Sequence, residues 1–108
     1  MELKELKVSD KENSVKYILL VQGRQVGFGY IFNREVNPIE IYIENDFQSN
    51  GYGKLLFNSL LKILKDSGLK GLKFELDENN GRLISVIKQA GAVEIGRDLP
   101  KIKFIIKL

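Results

Sequence analysis

Polar and apolar residues alternate with a period of two in several segments of this chain, a pattern typical of strands with two different faces. The clearest case is Ile39 to Glu44, where isoleucine at every second position alternates with glutamate or tyrosine. Together with short apolar runs between turn residues, such segments predict seven strands. They are Leu3 to Val8, Val15 to Gln22, Gln25 to Phe32, Ile39 to Glu44, Leu69 to Leu76, Ala92 to Ile95 and Ile102 to Leu108.

Two other segments repeat apolar residues at helical spacing, which predicts two helices. The first begins past Asn50 and ends near Gly68, and its apolar face comprises Tyr52, Leu55, Leu56, Leu60, Ile63 and Leu64. The second begins near Asn80 and ends at Gly91, with Leu83, Ile84, Ile87 and Ala90 directed inward. Glycine just past the last periodic residue is a common helix terminator and supports both ends.

The order of these elements predicts the fold class. It reads four strands, helix, strand, helix, two strands, and the unit from Ile39 to Leu76 should form a right-handed parallel crossover. We therefore predict an α/β (α+β) fold with a mixed, largely antiparallel sheet of six to seven strands. The parallel strand-helix-strand unit lies at its centre, two helices pack on the sheet, and residues 1–108 form a single domain.

Glycines mark two places where the backbone has special requirements. Gly23 and Arg24 lie between two strand segments and predict a two-residue hairpin turn. Gly27 and Gly29 share one face of the following strand. Their missing side chains either let another element approach the backbone closely or accommodate a bulge.

Composition restricts the chemistry. The chain has no cysteine and no histidine, which excludes disulfides, thiolate zinc sites and Ser-His catalysis. Catalysis would have to use carboxylates, tyrosines, lysines, backbone amides or a bound cofactor. The carboxylate-rich turn Asp77 to Gly81 lacks the spacing of a calcium loop, so we predict no metal site.

The net charge of +3 suits an anionic ligand without indicating nucleic acid. Apolar stretches are far shorter than the roughly 20 residues of a membrane span. A cytoplasmic protein without a membrane partner is predicted.

The junction between the fourth strand and the first helix carries the strongest chemical signal. Its residues are Gln48, Ser49, Asn50, Gly51, Tyr52, Gly53 and Lys54. The first N–H groups of a helix lack intrahelical partners and favour an anion, and the two glycines let a phosphate approach them. The spacing differs from both the Walker P-loop and the Rossmann fingerprint.

This motif resembles the Gln/Arg-x-x-Gly-x-Gly/Ala signature of the GNAT superfamily of N-acetyltransferases. Ile41-Tyr42-Ile43 is similar to the family's cofactor-facing strand, and Asn80 with Gly91 to its second conserved block. The resemblance extends from about Val26 to Ile95. The chain looks like a small, truncated member, because the six-residue loop Ser9 to Ser14 leaves no room for the two helices usual between strands one and two.

The resemblance implies an acetyl-CoA-dependent N-acetyltransferase in which an amine attacks the thioester directly. Backbone amides from Gln48 to Lys54 would bind the pyrophosphate, and Ile41 and Ile43 would pair with the pantetheine arm. An amide near Ile43 would polarise the thioester carbonyl.

Catalytic groups are less clearly indicated. Glu40 or Glu44 is the candidate base for deprotonating the acceptor ammonium. Ile87 stands where many relatives have a tyrosine acid, and it cannot donate a proton. Asn80 is a candidate hydrogen-bond donor near the cofactor, or a residue that only caps the second helix.

Two further hypotheses remain open. The fold could bind acyl-CoA without turnover, as a sensor or interaction module. It could also be a small RNA-binding α/β domain, since Phe28, Tyr30 and Phe32 share one strand face, although that face is predicted to be core. We expect as partners acetyl-CoA and an amine acceptor, either a small molecule or a protein, and no nucleic acid. A second copy is a candidate partner, because the last strand alternates apolar residues with lysine and is half-buried.

Overall fold

The computed structural model describes residues 1–6 and 9–108. Within these residues the chain forms seven strands, two α-helices and one short 3-10 helix. In chain order the elements are β1 (Glu2–Leu6), β2 (Ser14–Val21), β3 (Arg24–Phe32), β4 (Ile39–Ile43), the 3-10 helix (Asn45–Phe47), α1 (Tyr52–Asp66), β5 (Gly71–Asp77), α2 (Gly81–Gln89), β6 (Val93–Asp98) and β7 (Lys101–Lys107). Val8, which the pattern assigned to the first strand, lies outside the described residues.

The predicted fold class and element order are confirmed, and the strands divide into two sheets. The first sheet has the order β1-β2-β3-β4 and the second has the order β5-β7-β6, with antiparallel pairing inside each. β4 and β5, the strands of the crossover unit, are not joined in a continuous ladder among the described residues. They meet through one parallel bridge from Val36 to Lys73, just before β4 begins.

Asn37 and Pro38 explain why the pairing stops there. The Asn37 side-chain amide donates to the Glu75 carbonyl at 2.9 Å and accepts from the Glu75 N–H at 2.9 Å. It therefore satisfies the backbone of β5 in place of a strand partner. Pro38 follows and has no N–H with which to extend a ladder. Beyond this point β3 is the only strand that pairs with β4 within the described chain.

Helix α1 forms the centre of the core. Leu56, Phe57 and Leu60 on one face of this helix are fully buried. The Phe57 ring lies 5.8 Å from the ring of Phe74 on β5. Apolar side chains from both sheets join them in one cluster, including Leu19, Val26, Ile39, Leu72, Ile87, Ile102, Phe104 and Ile106. The helix thus holds the two sheets together and fixes the junction that precedes it.

The glycine pair on β3 lies where the backbone is closely approached, as one of the two sequence interpretations proposed. A Cβ added at Gly29 would lie 2.8 Å from Cδ1 of Leu60 on α1 and 2.9 Å from the Glu40 carbonyl oxygen. A Cβ at Gly27 would lie 2.6 Å from the Tyr42 carbonyl oxygen. These contacts are closer than real Cβ atoms make, so glycine is required for α1 and β4 to pack on β3.

We expect Gly29→Ala to destabilise the fold by about 1–3 kcal/mol, the usual cost of overpacking a filled core. The urea midpoint of unfolding measures it. Gly81→Ala is the matched control, because a Cβ at Gly81 meets nothing within 4 Å. An unchanged midpoint for Gly29→Ala would show that α1 does not pack against β3 as described.

One local expectation is wrong. The hairpin turn is Gln22-Gly23 and not Gly23-Arg24, with φ of 52° and 77° at the two turn residues. Both are positive, as a type I′ turn requires, and the twist of that turn matches the strands. The last strand, β7, is central in its sheet, with β5 and β6 on its two sides. Its predicted half-burial is confirmed, but both of its edges are paired within the described chain, so β7 offers no free edge to a second copy.

Candidate active site

The residues of the junction before α1 line a cleft between the start of α1 and helix α2, with a volume of about 590 Å³. Its walls are Ile41, Ile43, Phe47, Gln48, Ser49, Gly51, Gly53, Lys54, Asn80, Gly81, Arg82, Leu83, Ser85 and Val86. β4 supplies one wall, the junction loop a second and the first turns of α2 a third. The cleft therefore joins the motif of the first half of the chain to the block that begins at Asn80.

The junction loop presents unpaired backbone amides to this cleft. Ser49 and Gly51 have positive φ values of 68° and 80°, and Gly51 is the N-cap of α1. The first intrahelical bond runs from the Leu55 N–H to the Gly51 carbonyl at 3.1 Å. The N–H groups of residues 52–54 precede it and have no helical acceptor, so they form the anion-binding end of the helix.

Gln48 is held in place by its side chain. Its Nε2 donates to the Ile43 carbonyl and to Oδ1 of Asn45, both at 3.2 Å. Its Oε1 accepts a hydrogen bond of 2.7 Å from Nη1 of Arg82. Gln48 thereby fixes the loop to β4 on one side and to α2 on the other.

Most of the predicted cofactor residues come together in the cleft. Ile41, Ile43, Gln48, Ser49, Gly51, Gly53, Lys54 and Asn80 all line it. The side chains of Asn50 and Tyr52 do not: Asn50 is exposed, and the Tyr52 ring packs against Phe47 at a centroid distance of 6.2 Å. These two residues contribute backbone to the junction.

Arg82 is a cleft residue that the sequence interpretation missed. It lies in the first turn of α2 and is separated from Gln48 by 34 positions along the chain. With Lys54 it gives the cleft two cations on opposite walls. The signal that could have identified it is its position two residues after Asn80, at the start of a helix already assigned to the site.

Asn80 is at the N-cap of α2, yet its side chain makes no capping hydrogen bond within the described chain. Its carbonyl accepts from the Ile84 N–H at 3.0 Å. Asn80 is thus the N-cap residue that the sequence predicted, but it caps without a side-chain hydrogen bond, and its side-chain amide is left at the cleft. Ile87 is fully buried in the core, where it can supply packing and no proton.

Glu40 and Tyr42 occupy the other face of β4. The Glu40 carboxylate accepts from Nζ of Lys11 at 3.1 Å, from Nη2 of Arg34 at 2.9 Å and from the Tyr42 hydroxyl at 2.8 Å. Partial burial opposes ionisation, but these hydrogen bonds outweigh it and lower the pKa of Glu40. Glu44, just past β4, is exposed, and its carboxylate accepts from Nε2 of Gln25 at 3.5 Å.

The family model of acetyltransferases (GNAT) matches residues 2–92 of the sequence. The chain belongs to the GNAT acetyltransferase family. A search of curated proteins found no match.

Solved structures agree on the fold of this GNAT chain. A domain from Methanocaldococcus jannaschii is 26% identical, with a TM-score of 0.75 over 92% of this chain and 70% of that one. The N-acetyltransferase PseH from Campylobacter jejuni, solved with acetyl coenzyme A, is 14% identical, with a TM-score of 0.73 over 90% and 70% of the two chains. A putative streptothricin acetyltransferase from Bacillus anthracis, also solved with acetyl coenzyme A, is 20% identical, with a TM-score of 0.73 over 92% and 65%.

The aromatic residues of β3 in this GNAT chain lie outside the core cluster around α1, and of the three only Tyr30 is buried as the sequence predicted. Phe28, Tyr30 and Phe32 lie on the sheet face opposite α1, because the residues between them, Gly29 and Ile31, face the helix. Tyr30 is buried, and its hydroxyl donates to Asp10 at 2.6 Å, which with burial raises the pKa of Tyr30 to about 12.

A larger cavity, about 790 Å³, lies near the other end of α1 and is lined by Val15, Ile31, Phe32, Arg34, Leu64, Leu69, Leu72 and Ile105 among others. No part of the GNAT motif contributes to it. Among the residues that the structure describes, no group of three or more carboxylates could hold a metal ion. None of the described helices has the length and apolarity to cross a membrane.

Proposed function

We propose that this chain is an acetyl-CoA-dependent N-acetyltransferase that transfers the acetyl group to a primary amine by direct attack. The observation that carries the proposal is the cleft in which the free amides of α1 face a wall bearing Arg82. The acetyl coenzyme A in the Campylobacter and Bacillus structures supports the same ligand here.

The residues of the cleft fit a diphosphate-containing ligand. A Cβ at Gly53 would lie 3.9 Å from Cδ1 of Ile41 and 3.9 Å from Cγ1 of Ile43, inside the cleft wall. Glycine here leaves the amides open, and Lys54 and Arg82 add positive charge. We assign the pyrophosphate to the amides of residues 52–54 and the pantetheine arm to the exposed edge of β4 at Ile41 and Ile43.

Bound acetyl-CoA supplies a thioester carbonyl for the amine to attack, and this chain's residues must position the amine and remove its proton. Glu40 is a poor base, because Lys11 and Arg34 both stabilise its ionised form and lower its proton affinity. Glu44 has no comparable ion pair among the described residues, and we assign it the role of base. Asn80, with its free side-chain amide, is the candidate donor toward the leaving thiol.

The proposal is tested by release of free coenzyme A thiol from acetyl-CoA in the presence of a panel of small primary amines. We expect amine-dependent thiol release that saturates with acetyl-CoA. Tight acetyl-CoA binding with no release for any amine or lysine-containing peptide would instead identify a non-catalytic acyl-CoA-binding module.

We expect Arg82→Gln to weaken acetyl-CoA binding about tenfold, equivalent to about 1.4 kcal/mol. The reason is loss of both a cation at the cleft and the support that Arg82 gives to Gln48. Calorimetric titration measures the affinity. Lys88→Gln is the matched control, since Lys88 is an exposed cation at the far end of the same helix. Equal losses of affinity in the two variants would show that Arg82 acts only through the overall positive charge of the protein.

That residues 1–108 form a single domain, and that the protein is cytoplasmic, remain predictions. An acceptor of small-molecule or protein origin and a homodimer remain proposals.

A further inference from the structure

The ammonium group of Lys11 lies against the polar face of the first sheet. Lys11 lies in the short loop between β1 and β2, where the sequence leaves no room for helices. Its Nζ lies 3.1 Å from Oε1 of Glu40 and 3.4 Å from the Tyr42 hydroxyl. It also lies 4.8 Å from the ring centroid of Tyr30 and 5.3 Å from that of Tyr42.

These contacts are the ones that recognise a small organic cation. A carboxylate supplies charge and a hydrogen-bond acceptor, and aromatic faces within about 6 Å attract the cation through their quadrupoles. We name Tyr30, Glu40 and Tyr42 the ammonium box. Lys11 fills the box with the end of an unbranched alkyl chain, so the box already accommodates a primary alkylammonium group.

The walls of the box are held by contacts that do not involve Lys11. The Tyr42 ring stacks on Phe28 at a centroid distance of 5.0 Å, and its hydroxyl donates to Glu40 at 2.8 Å. Arg34 binds the other carboxylate oxygen of Glu40 at 2.9 Å. Tyr30 is fixed by burial and by its hydrogen bond to Asp10. The box should therefore persist when the Lys11 side chain is removed.

Lys11 is also the component of the box that can leave it. Its side chain is 40% exposed, and surface ion pairs of this kind contribute little to stability. Tyr42 is 41% exposed, so the box opens to solvent on the side from which a ligand would arrive.

We propose that the ammonium box is a binding site for the primary alkylammonium group of a ligand, with Lys11 as a tethered competitor for it. The proposal deepens the function proposed above, and it rests on that function for the identification of the ligand as the acceptor amine. The box is on the same strand as the cleft, because Glu40 and Tyr42 alternate along β4 with the cleft residues Ile41 and Ile43.

The charges around the box define its role. Glu40 first, and then Tyr42, raise the pKa of Lys11 by hydrogen bonding to its ammonium form. Arg34 and Lys16 are the neighbouring cations, and Asp10 is the neighbouring carboxylate. The box therefore binds a cation and keeps it protonated, which makes Glu40 an anchoring residue and leaves deprotonation of the attacking amine to another group.

The test is a titration of n-butylammonium chloride into the protein without acetyl-CoA, followed by chemical-shift changes of the tyrosine rings. We expect Lys11→Ala to bind about tenfold more tightly than wild type, because a tethered competitor acts at a millimolar or higher effective concentration. Lys65→Ala is the matched control, since Lys65 is an exposed lysine in the last turn of α1, on the opposite side of the first sheet from the box. It should bind like wild type.

The Lys11→Ala, Glu40→Gln double variant should lose the gain in affinity for n-butylammonium, and n-butanol should not compete with n-butylammonium for the box. Equal affinity in Lys11→Ala and wild type, or equal binding of n-butanol, would overturn the proposal. So would binding of single-stranded RNA at the tyrosines in place of the ammonium.

A second measurement uses the wild type and does not depend on folding of a variant. In ¹⁵N-lysine spectra at neutral pH, the Lys11 ammonium should exchange its protons more slowly than other lysines and lose this protection as n-butylammonium is added. Proton exchange of the Lys11 ammonium group as fast as that of exposed lysines would contradict its binding in the box. Because neither experiment contains acetyl-CoA, failure of acetyl transfer and failure of the ammonium box are distinguishable.

Discussion

Gly53→Asp lowers the affinity for acetyl-CoA by about a hundredfold, equivalent to about 2.7 kcal/mol. The new side chain would start 3.9 Å from Ile41 and Ile43, on the wall that faces the free amides of α1. Its carboxylate would compete for the N–H groups that we assign to the pyrophosphate and would repel the phosphates. Both effects act on binding and leave the core untouched.

The variant should remain folded, which makes its binding result interpretable. Gly53 lies in the first turn of α1 without a positive φ, and its Cβ would make only ordinary contacts. An aspartate in the first turn of a helix is favourable because it complements the helix dipole. Calorimetry with acetyl-CoA measures the loss of affinity, and thermal unfolding checks the fold.

Gly96→Asp is the matched control for charge and residue type. Gly96 lies on β6, away from the cleft, and a Cβ there meets nothing within 4 Å. We expect affinity within about twofold of wild type, since Gly96 does not line the cleft and salt screens a solvent-exposed charge. A folded Gly53→Asp protein that binds as tightly as Gly96→Asp would show that the pyrophosphate does not bind at the start of α1.

Phe57→Ala destabilises the fold by about 3–5 kcal/mol, the usual range for removing a buried phenylalanine. Phe57 is fully buried on α1 and packs on Phe74 of the second sheet. The cavity would lie between the helix and β5, where few backbone hydrogen bonds join the two sheets. Since domains of this size are stable by only about 5–15 kcal/mol, a large part of the folded population would be lost on warming.

The urea midpoint of unfolding measures this loss. Asn58→Ala changes the next residue of the same helix on its exposed face, and we expect a change within about 0.5 kcal/mol. Similar losses for the two variants would mean that α1 does not join the sheets through Phe57.

The sequence was sufficient for the helices and for β4 because each of them has a clear period. Leu56 and Leu60 lie on one face at helical spacing, and Ile41 and Ile43 alternate with polar residues, so local geometry alone decides which side is buried. The candidate anion site before α1 could also be proposed from the sequence, because glycines at 51 and 53 before a long apolar period are a local signal. Features that depend only on residues close together in the sequence could therefore be predicted.

The remaining features depend on contacts between distant segments. Arg82 reaches Gln48 across the cleft, and no pattern around either residue encodes that distance. The division into two sheets depends on Asn37 bonding to β5. The ammonium box depends on which face of β3 packs against α1. The pattern around Tyr30 does not determine that face, because a tyrosine there can be buried on either side of the sheet. The close approach of α1 to Gly29 determines it.

The most direct test of the acetyl-CoA site is a titration of acetyl-CoA into ¹⁵N-labelled wild-type protein, followed by backbone amide shifts. We predict the largest changes at the amides of Gln48 to Lys54, with further changes at Ile41, Ile43 and Arg82. Residues of the larger cavity, such as Leu69, should not change. Binding that moves the amides around Leu69 and leaves those of Gly51 and Gly53 unchanged would contradict the assignment of the site.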